Sequence, residues 1–115
     1  MLFSFFAFGK KKNIDVRKVG FFSKGIGLMF RSSSTKSLLF DFYRESRVAI
    51  TSIFVFFPFL AVWLDENHRV VETKVIRPFT IIVIPKKPCR YLIEIPLHAK
   101  NSHYLLFFRR KMRNI

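Results

Sequence analysis

The chain has 115 residues, half of them apolar, with sixteen phenylalanines, one cysteine and a formal net charge of +14. That length fits one domain with a single hydrophobic core, and the apolar content excludes an intrinsically disordered body. The lone cysteine, Cys89, excludes an internal disulfide and suits a reducing, cytoplasmic setting.

The positive charge is concentrated at the two ends. Residues 1–31 carry seven Lys and Arg against Asp15 alone, and residues 101–115 carry four (Arg109, Arg110, Lys111 and Arg113) with no acid. Residues 32–77 are close to balance, six basic against five acidic. Such a field attracts polyanions and anionic membrane surfaces, although a solvated, self-repelling surface has the same composition.

The chain opens on MLFSFFAFG, followed by Lys10, Lys11 and Lys12. A secretory signal places its cations before its apolar run, so the reversed order argues against one. Residues 1–12 read as an apolar and basic tail, able to form a short strand or to rest on an anionic membrane with its lysines at the headgroups. A β domain follows over 13–100, with residues 13–19 as its first strand. Ser23 is placed to cap a helical turn over 24–30, which Gly25 and Gly27 weaken. Residues 31–36, RSSSTK, make a polar loop. Residues 37–43, SLLFDFY, read as a strand and 44–47 as a turn.

Residues 48–64, VAITSIFVFFPFLAVWL, carry no charge. The run is shorter than the roughly 20 residues of a spanning helix, is interrupted by Pro58, and is rich in strand-forming Ile, Val and Phe. It reads as two buried strands, 48–57 and 59–64, because proline belongs at a strand start, edge or bulge. Residues 65–68 make a hairpin turn, and 69–76 return. Pro78 and Pro85 bracket FTIIVI, a short buried strand, and residues 86–88 form a loop. Residues 90–95 alternate, with Tyr91, Ile93 and Ile95 on one face and Arg90, Leu92 and Glu94 on the other. Residues 104–108 read as a last strand or tail contact within a basic C-terminal tail, 101–115. Many short strands with turn residues between them predict an all-β sandwich or partly open barrel with at most one short helix.

The chemistry-bearing residues do not assemble into a motif. His68 falls in a predicted turn, and His98 and His103, five apart, have no carboxylate or cysteine ligand nearby, so no metal is expected. Cys89 lies beside Arg90 but has no base in sequence context. Asp65 and Glu66 are adjacent in a turn, where Asp ordinarily bonds the backbone. Gly25-Ile26-Gly27 lacks the third glycine of a dinucleotide fingerprint, so no cofactor is expected. Aromatics interleave with cations at both ends: Phe8 with Lys10 to Lys12, and Tyr104, Phe107 and Phe108 with Arg109 and Arg110. That is the composition of a single-strand nucleic-acid binder.

Several segments, taken in order, carry a family likeness. Gly27-Leu28-Met29-Phe30-Arg31 matches a GLM-x-R segment, and Leu38-Leu39-Phe40 a following M-L-F strand. Phe57-Pro58-Phe59 through Trp63-Leu64-Asp65 matches a P-L-D-x-x-F-x-D stretch. Val70-Val71 and Pro78 fit the next strand, and Arg90-Tyr91-Leu92-Ile93-Glu94-Ile95-Pro96 a Y-V-L-E-L-P strand. From about residue 16 to 96 the chain resembles uncharacterised protein family 0127, also called domain of unknown function 192. Leu60, Leu97 and His98 depart from the family pattern, as does the loss of its closing Gly-Asp turn. The resemblance implies a compact, mainly β domain and supplies no reaction.

The expected protein is therefore a small cytoplasmic β domain, not an enzyme, that binds a ligand or partner. Arg31, Asp65, Arg90 and Glu94, charged residues within the matching segments, are its candidate binding site. Their alternative role is structural, with Asp65 closing a turn and Arg31 or Arg90 pairing with Glu94. Two other functions fit the charge. One is a nucleic-acid-binding module using Lys10, Lys11, Lys12, Arg109, Arg110 and Lys111. The other is a peripheral membrane protein using MLFSFFAF and its lysines.

Overall fold

The computed structural model describes residues 1–19, 36–50, 55–80, 82–97 and 102–113. Six strands and one helix follow in chain order: β1 (Leu2–Ala7), β2 (Lys10–Val19), β3 (Ser37–Ser46), β4 (Phe59–Leu64), β5 (Val70–Ile76), β6 (Cys89–Pro96) and α1 (Ser102–Arg113). The strands form one sheet in the order β1-β2-β3-β6-β4-β5. Only β2 and β3 run parallel; the other neighbours are antiparallel. The sheet curls into a half-barrel, and its two edges approach each other where the Phe6 N–H donates to the His68 carbonyl at 2.8 Å. The all-β expectation with one short helix holds. Among the described residues, no helix is long and apolar enough to cross a membrane.

Both faces of the central strands are covered. Toward the curl, Phe3, Phe5, Ile14, Val16, Leu39, Leu60, Val62, Leu64, Tyr91, Ile93 and Ile95 form one apolar cluster with Phe108 of the helix. On the other face Leu38, Phe40, Phe59, Ala61, Trp63 and Leu92 pack with Ile50, Val55, Phe57, Ile76 and Val83. All six residues of β4 are buried, which is why its sequence is an unbroken apolar run rather than an alternating one. β6 shows the predicted alternation, with Tyr91, Ile93 and Ile95 in the first cluster and Leu92 in the second. Pro58 stands just before β4, where its missing donor costs nothing, and its carbonyl accepts from Leu97 N at 3.1 Å.

Four expectations change. Residues 1–12 are not a tail: β1 and the start of β2 form a hairpin with Leu2 opposite Asp15 and Ala7 opposite Lys10. Phe3, Phe5 and Ala7 point into the core while Leu2 and Phe6 stay exposed. The connection is the two-residue turn Phe8-Gly9, with φ of 54° and 76°. Two positive values mark a type I′ geometry, usually Asn-Gly, and a phenylalanine there costs roughly 1–2 kcal/mol. Residues 104–108 lie in α1 rather than in a strand, because a helix puts Tyr104 and Phe108 on one face, where Phe108 enters the core. Residues 48–57 and 79–84 are not continuous strands in their described parts. Among the described residues, their backbones pair where Ile50 and Val83 exchange bonds of 2.9 and 2.8 Å, and the Phe56 and Phe79 rings meet edge-on at 5.5 Å. Phe79, at a left-handed φ of 63°, breaks the second run. Residues 44–46, expected in a turn, extend β3. The expected helical turn over 24–30 lies outside the described residues.

Candidate functional site

Of the charged candidates that are described, Asp65 and Arg90 lie at the same end of the β4–β6 pair, where Leu64 stands opposite Tyr91, and Glu94 lies further along β6. Arg31 lies outside the described residues. Asp65 builds the β4–β5 turn: its Oδ1 accepts from Asn67 N at 2.8 Å and Arg69 N at 2.9 Å, and its carbonyl accepts from His68 N at 3.1 Å. Asp65→Ala should lower stability by about 1–2 kcal/mol in urea unfolding, the cost of two backbone donors losing their acceptor, while Asp65→Asn should retain most of it. Equal losses for both variants would refute the turn assignment.

Arg90 pairs with Asp41 rather than with Glu94. Its Nε donates to Asp41 Oδ1 at 3.1 Å and a terminal nitrogen to Oδ2 at 3.3 Å. Asp41 is 8% exposed. Burial pushes its carboxyl up, but the Arg90 hydrogen bond and the Tyr43 N–H together hold it below the ordinary carboxylate range. The pairing of β3 with β6 is interrupted between Asp41 and Ser46, beside the left-handed Tyr43 whose N–H reaches Asp41 Oδ1 at 2.7 Å. A charged residue inside the apolar run SLLFDFY is the signal that a partner was needed there.

Glu94 sits on β6, between Leu38 of β3 and Ala61 of β4 in register. It is 4% exposed, and burial pushes its carboxyl up to about 8. This is a core acid held largely protonated at neutral pH, not a surface ligand. Trp63, on the same face, is fully buried with its Nε1 lacking a partner. Among the described residues, no group of three or more His, Cys, Asp or Glu could hold a metal ion.

The two basic ends, by contrast, are brought together. Lys12 Nζ lies 4.5 Å from the centre of the Phe107 ring of α1, a cation–π contact. Tyr104 Oη donates to the Asn13 carbonyl at 3.4 Å. Phe8 meets Phe107 at 6.0 Å and Phe108 at 6.3 Å. Lys10, Lys11 and Arg109 are exposed, with Lys11 on the opposite face of β2 from Lys12. Arg110 and Lys111 continue α1.

The same hairpin tip overhangs the seam between β1 and β5. One hollow of about 420 Å³ is lined by Phe8, Val70, Val71, Glu72, Lys86 and Lys87. An adjoining one of about 370 Å³ is lined by Phe6, Phe8, Gly9, Arg69 and Val70. They share Phe8 and Val70 and run together as one groove whose lining includes two phenylalanines, two valines and three cations. His68 pins the seam. Its Nδ1–H donates to the Ser4 carbonyl at 2.8 Å, and its ring stacks on Phe3 at 4.5 Å and meets Tyr91 edge-on at 4.8 Å. Phe8 and the lysine run were visible as aromatic–basic interleaving. Arg69, Lys86 and Lys87 were not, since they lie some sixty to eighty residues away and only the curl delivers them.

A half-barrel β domain with a cationic, aromatic seam is the class this geometry defines. The chain belongs to the DUF192 family, whose model, described as Uncharacterized ACR, matches residues 8–105. β1 and most of α1 lie outside that span. UPF0127 protein PH1112 of Pyrococcus horikoshii is 34% identical over 84 residues, 71% of each chain. UPF0127 protein PF1050 of Pyrococcus furiosus is 32% identical over 91 residues, 76% of this chain and 77% of the relative. Two solved structures have a similar fold. A protein of unknown function from Novosphingobium aromaticivorans superposes with a TM-score of 0.69 at 13% identity, covering 87% of this chain and 74% of that one. A proposed transcription regulator from Sinorhizobium meliloti gives 0.68 at 18% identity, covering 81% and 76%.

Proposed function

We propose that the protein is a non-enzymatic binding module of the cytoplasm and that its partner is anionic. The observation that carries this is the meeting of the two basic ends, Lys12 of β2 over the Phe107 ring of α1, beside the groove lined by Arg69, Lys86 and Lys87. Cations gathered on one face create a field that a scattered surface charge does not. The non-enzymatic part is supported by the state of the reactive groups. Cys89 is buried and free, its thiol pushed up to about 11 by burial first and then by Glu72, Glu45 and Asp65, so the thiolate nucleophile is suppressed. A reduced thiol of this kind also suits the cytoplasm. The Sinorhizobium protein's description as a proposed transcription regulator agrees with an anionic partner, but at that identity the reading rests on the groove and the charge.

Titration calorimetry with inorganic polyphosphate tests the reading. Binding should appear at low salt and weaken log-linearly as salt rises, the signature of counterion release. No binding at any salt overturns it. Deleting residues 1–12 is not a clean control, because it removes β1 from the core; substitutions of exposed lysines are.

A further inference from the structure

We propose that the seam groove is a binding site for single-stranded nucleic acid, with Phe8 as the stacking platform and Arg69, Lys86 and Lys87 as the phosphate contacts. This rests on the anionic-partner reading and names the partner. Phe8 is 43% exposed although it occupies a left-handed turn position that asparagine or glycine would fill without strain. Its edge contacts with Phe107 and Phe108 hold the ring in place at the junction of the two hollows. Phe6, also 43% exposed, stands at the far end of the same groove. Val70 and Val71, which pack against the cores on opposite faces of β5, both line the hollow between Phe8 and the lysines.

The one acid lining the groove among the described residues, Glu72, accepts a hydrogen bond from Lys86 N at 2.8 Å through Oε1, so part of its carboxylate is already engaged. Aromatic rings recessed in a groove and flanked by cations fit splayed bases with their phosphates. A duplex keeps its bases stacked on one another and offers no face to Phe8. A lipid surface would be met by a convex apolar patch, whereas these rings line a hollow.

The test is fluorescence anisotropy of a short labelled polyuridylate with the full chain, at low and near-physiological salt, with polyphosphate, duplex RNA and anionic vesicles as comparisons. Polyuridylate should bind more tightly than polyphosphate or duplex RNA. Phe8→Asn, which suits the turn but removes the ring, should weaken it roughly 5- to 150-fold, the range for one lost stacked base. Phe8→Tyr should retain affinity. Lys86→Gln with Lys87→Gln, exposed positions outside the core, should flatten the slope of log affinity against log salt by about 1.4. That pair keeps the proposal testable if Phe8→Asn loosens the docking of α1.

Equal binding of polyuridylate and polyphosphate, unaffected by either set of substitutions, would overturn this site while leaving the anionic-partner reading intact. Binding of vesicles without polyuridylate would overturn it in favour of a membrane surface. Binding of no polyanion would remove both readings.

Discussion

Glu94→Gln should make the protein's stability nearly independent of pH between about 4.5 and about 8, where the native chain loses stability steadily. The Glu94 carboxyl starts from 4.5 when exposed and is pushed up to about 8 by burial between Leu38 and Ala61. The folded form therefore binds the proton more tightly than the unfolded one. The stability this confers is fully present below pH 4.5, declines as pH rises and is gone above about 8. The slope within the window is about 1.4 kcal/mol per pH unit, which accumulates to the order of 5 kcal/mol across it. Glutamine keeps the shape and cannot ionise, so the variant should match the native chain at acid pH and exceed it at alkaline pH. Urea midpoints measured across this range decide the matter, and parallel profiles for the two proteins would refute the assignment. Asp41 acts in a different window. Its carboxyl is held low against the effect of burial, so its contribution is present above pH 3.8 and is lost below it.

The second large effect concerns α1. Phe108 is 2% exposed and sits in the apolar cluster on the curled face, with its ring 6.3 Å from Phe5, 6.3 Å from Phe8 and 5.2 Å from Phe107. Phe108→Ala should cost about 3–5 kcal/mol, since a cavity would open in the core beneath α1. Against the total of roughly 5–15 kcal/mol for a small domain, that is a large share. Leu106, two residues earlier and 61% exposed, should tolerate alanine within about 0.5 kcal/mol. A chemical melt of the two variants separates a docked helix from a loose tail, and similar losses in both would mean that α1 does not close the half-barrel. The Phe108 variant should also weaken polyanion binding, because the Phe107 ring would no longer hold Lys12.

These two residues show the two ways in which charge and apolarity mislead when read along the chain alone. Glu94 drew attention as a charged group in a family-matching strand, but its neighbours in register are apolar and its role is in the core. Phe108 read as part of a last strand or tail contact, and it is a helical side chain buried in the core. The described members of the candidate site, Asp65, Arg90 and Glu94, hold separate structural positions for a related reason. Asp65 works on its own turn, Arg90 on Asp41, and Glu94 lies four residues along β6 from Arg90, roughly 13 Å at strand rise. Asp65 and Arg90 do lie at the same end of the β4–β6 pair, where Leu64 stands opposite Tyr91, but each is engaged by a different structural partner.

What the sequence determined by itself was the β character, the buried β4 run after Pro58, the Asp65 turn and the two faces of β6. Each is written in contiguous residues. Alternation assigns faces, and turn chemistry needs only side chains two to four positions apart. The tertiary structure alone decided that residues 1–12 enter the sheet, that residues 102–113 coil into a helix over its mouth, that Arg90 answers Asp41, and that Phe8 meets Arg69, Lys86 and Lys87. Each of these joins residues dozens of positions apart. Such pairings depend on how far the sheet curls, and the curl is set by the packing of side chains from five strands and a helix around one cluster, a property of the assembled core that no single segment carries.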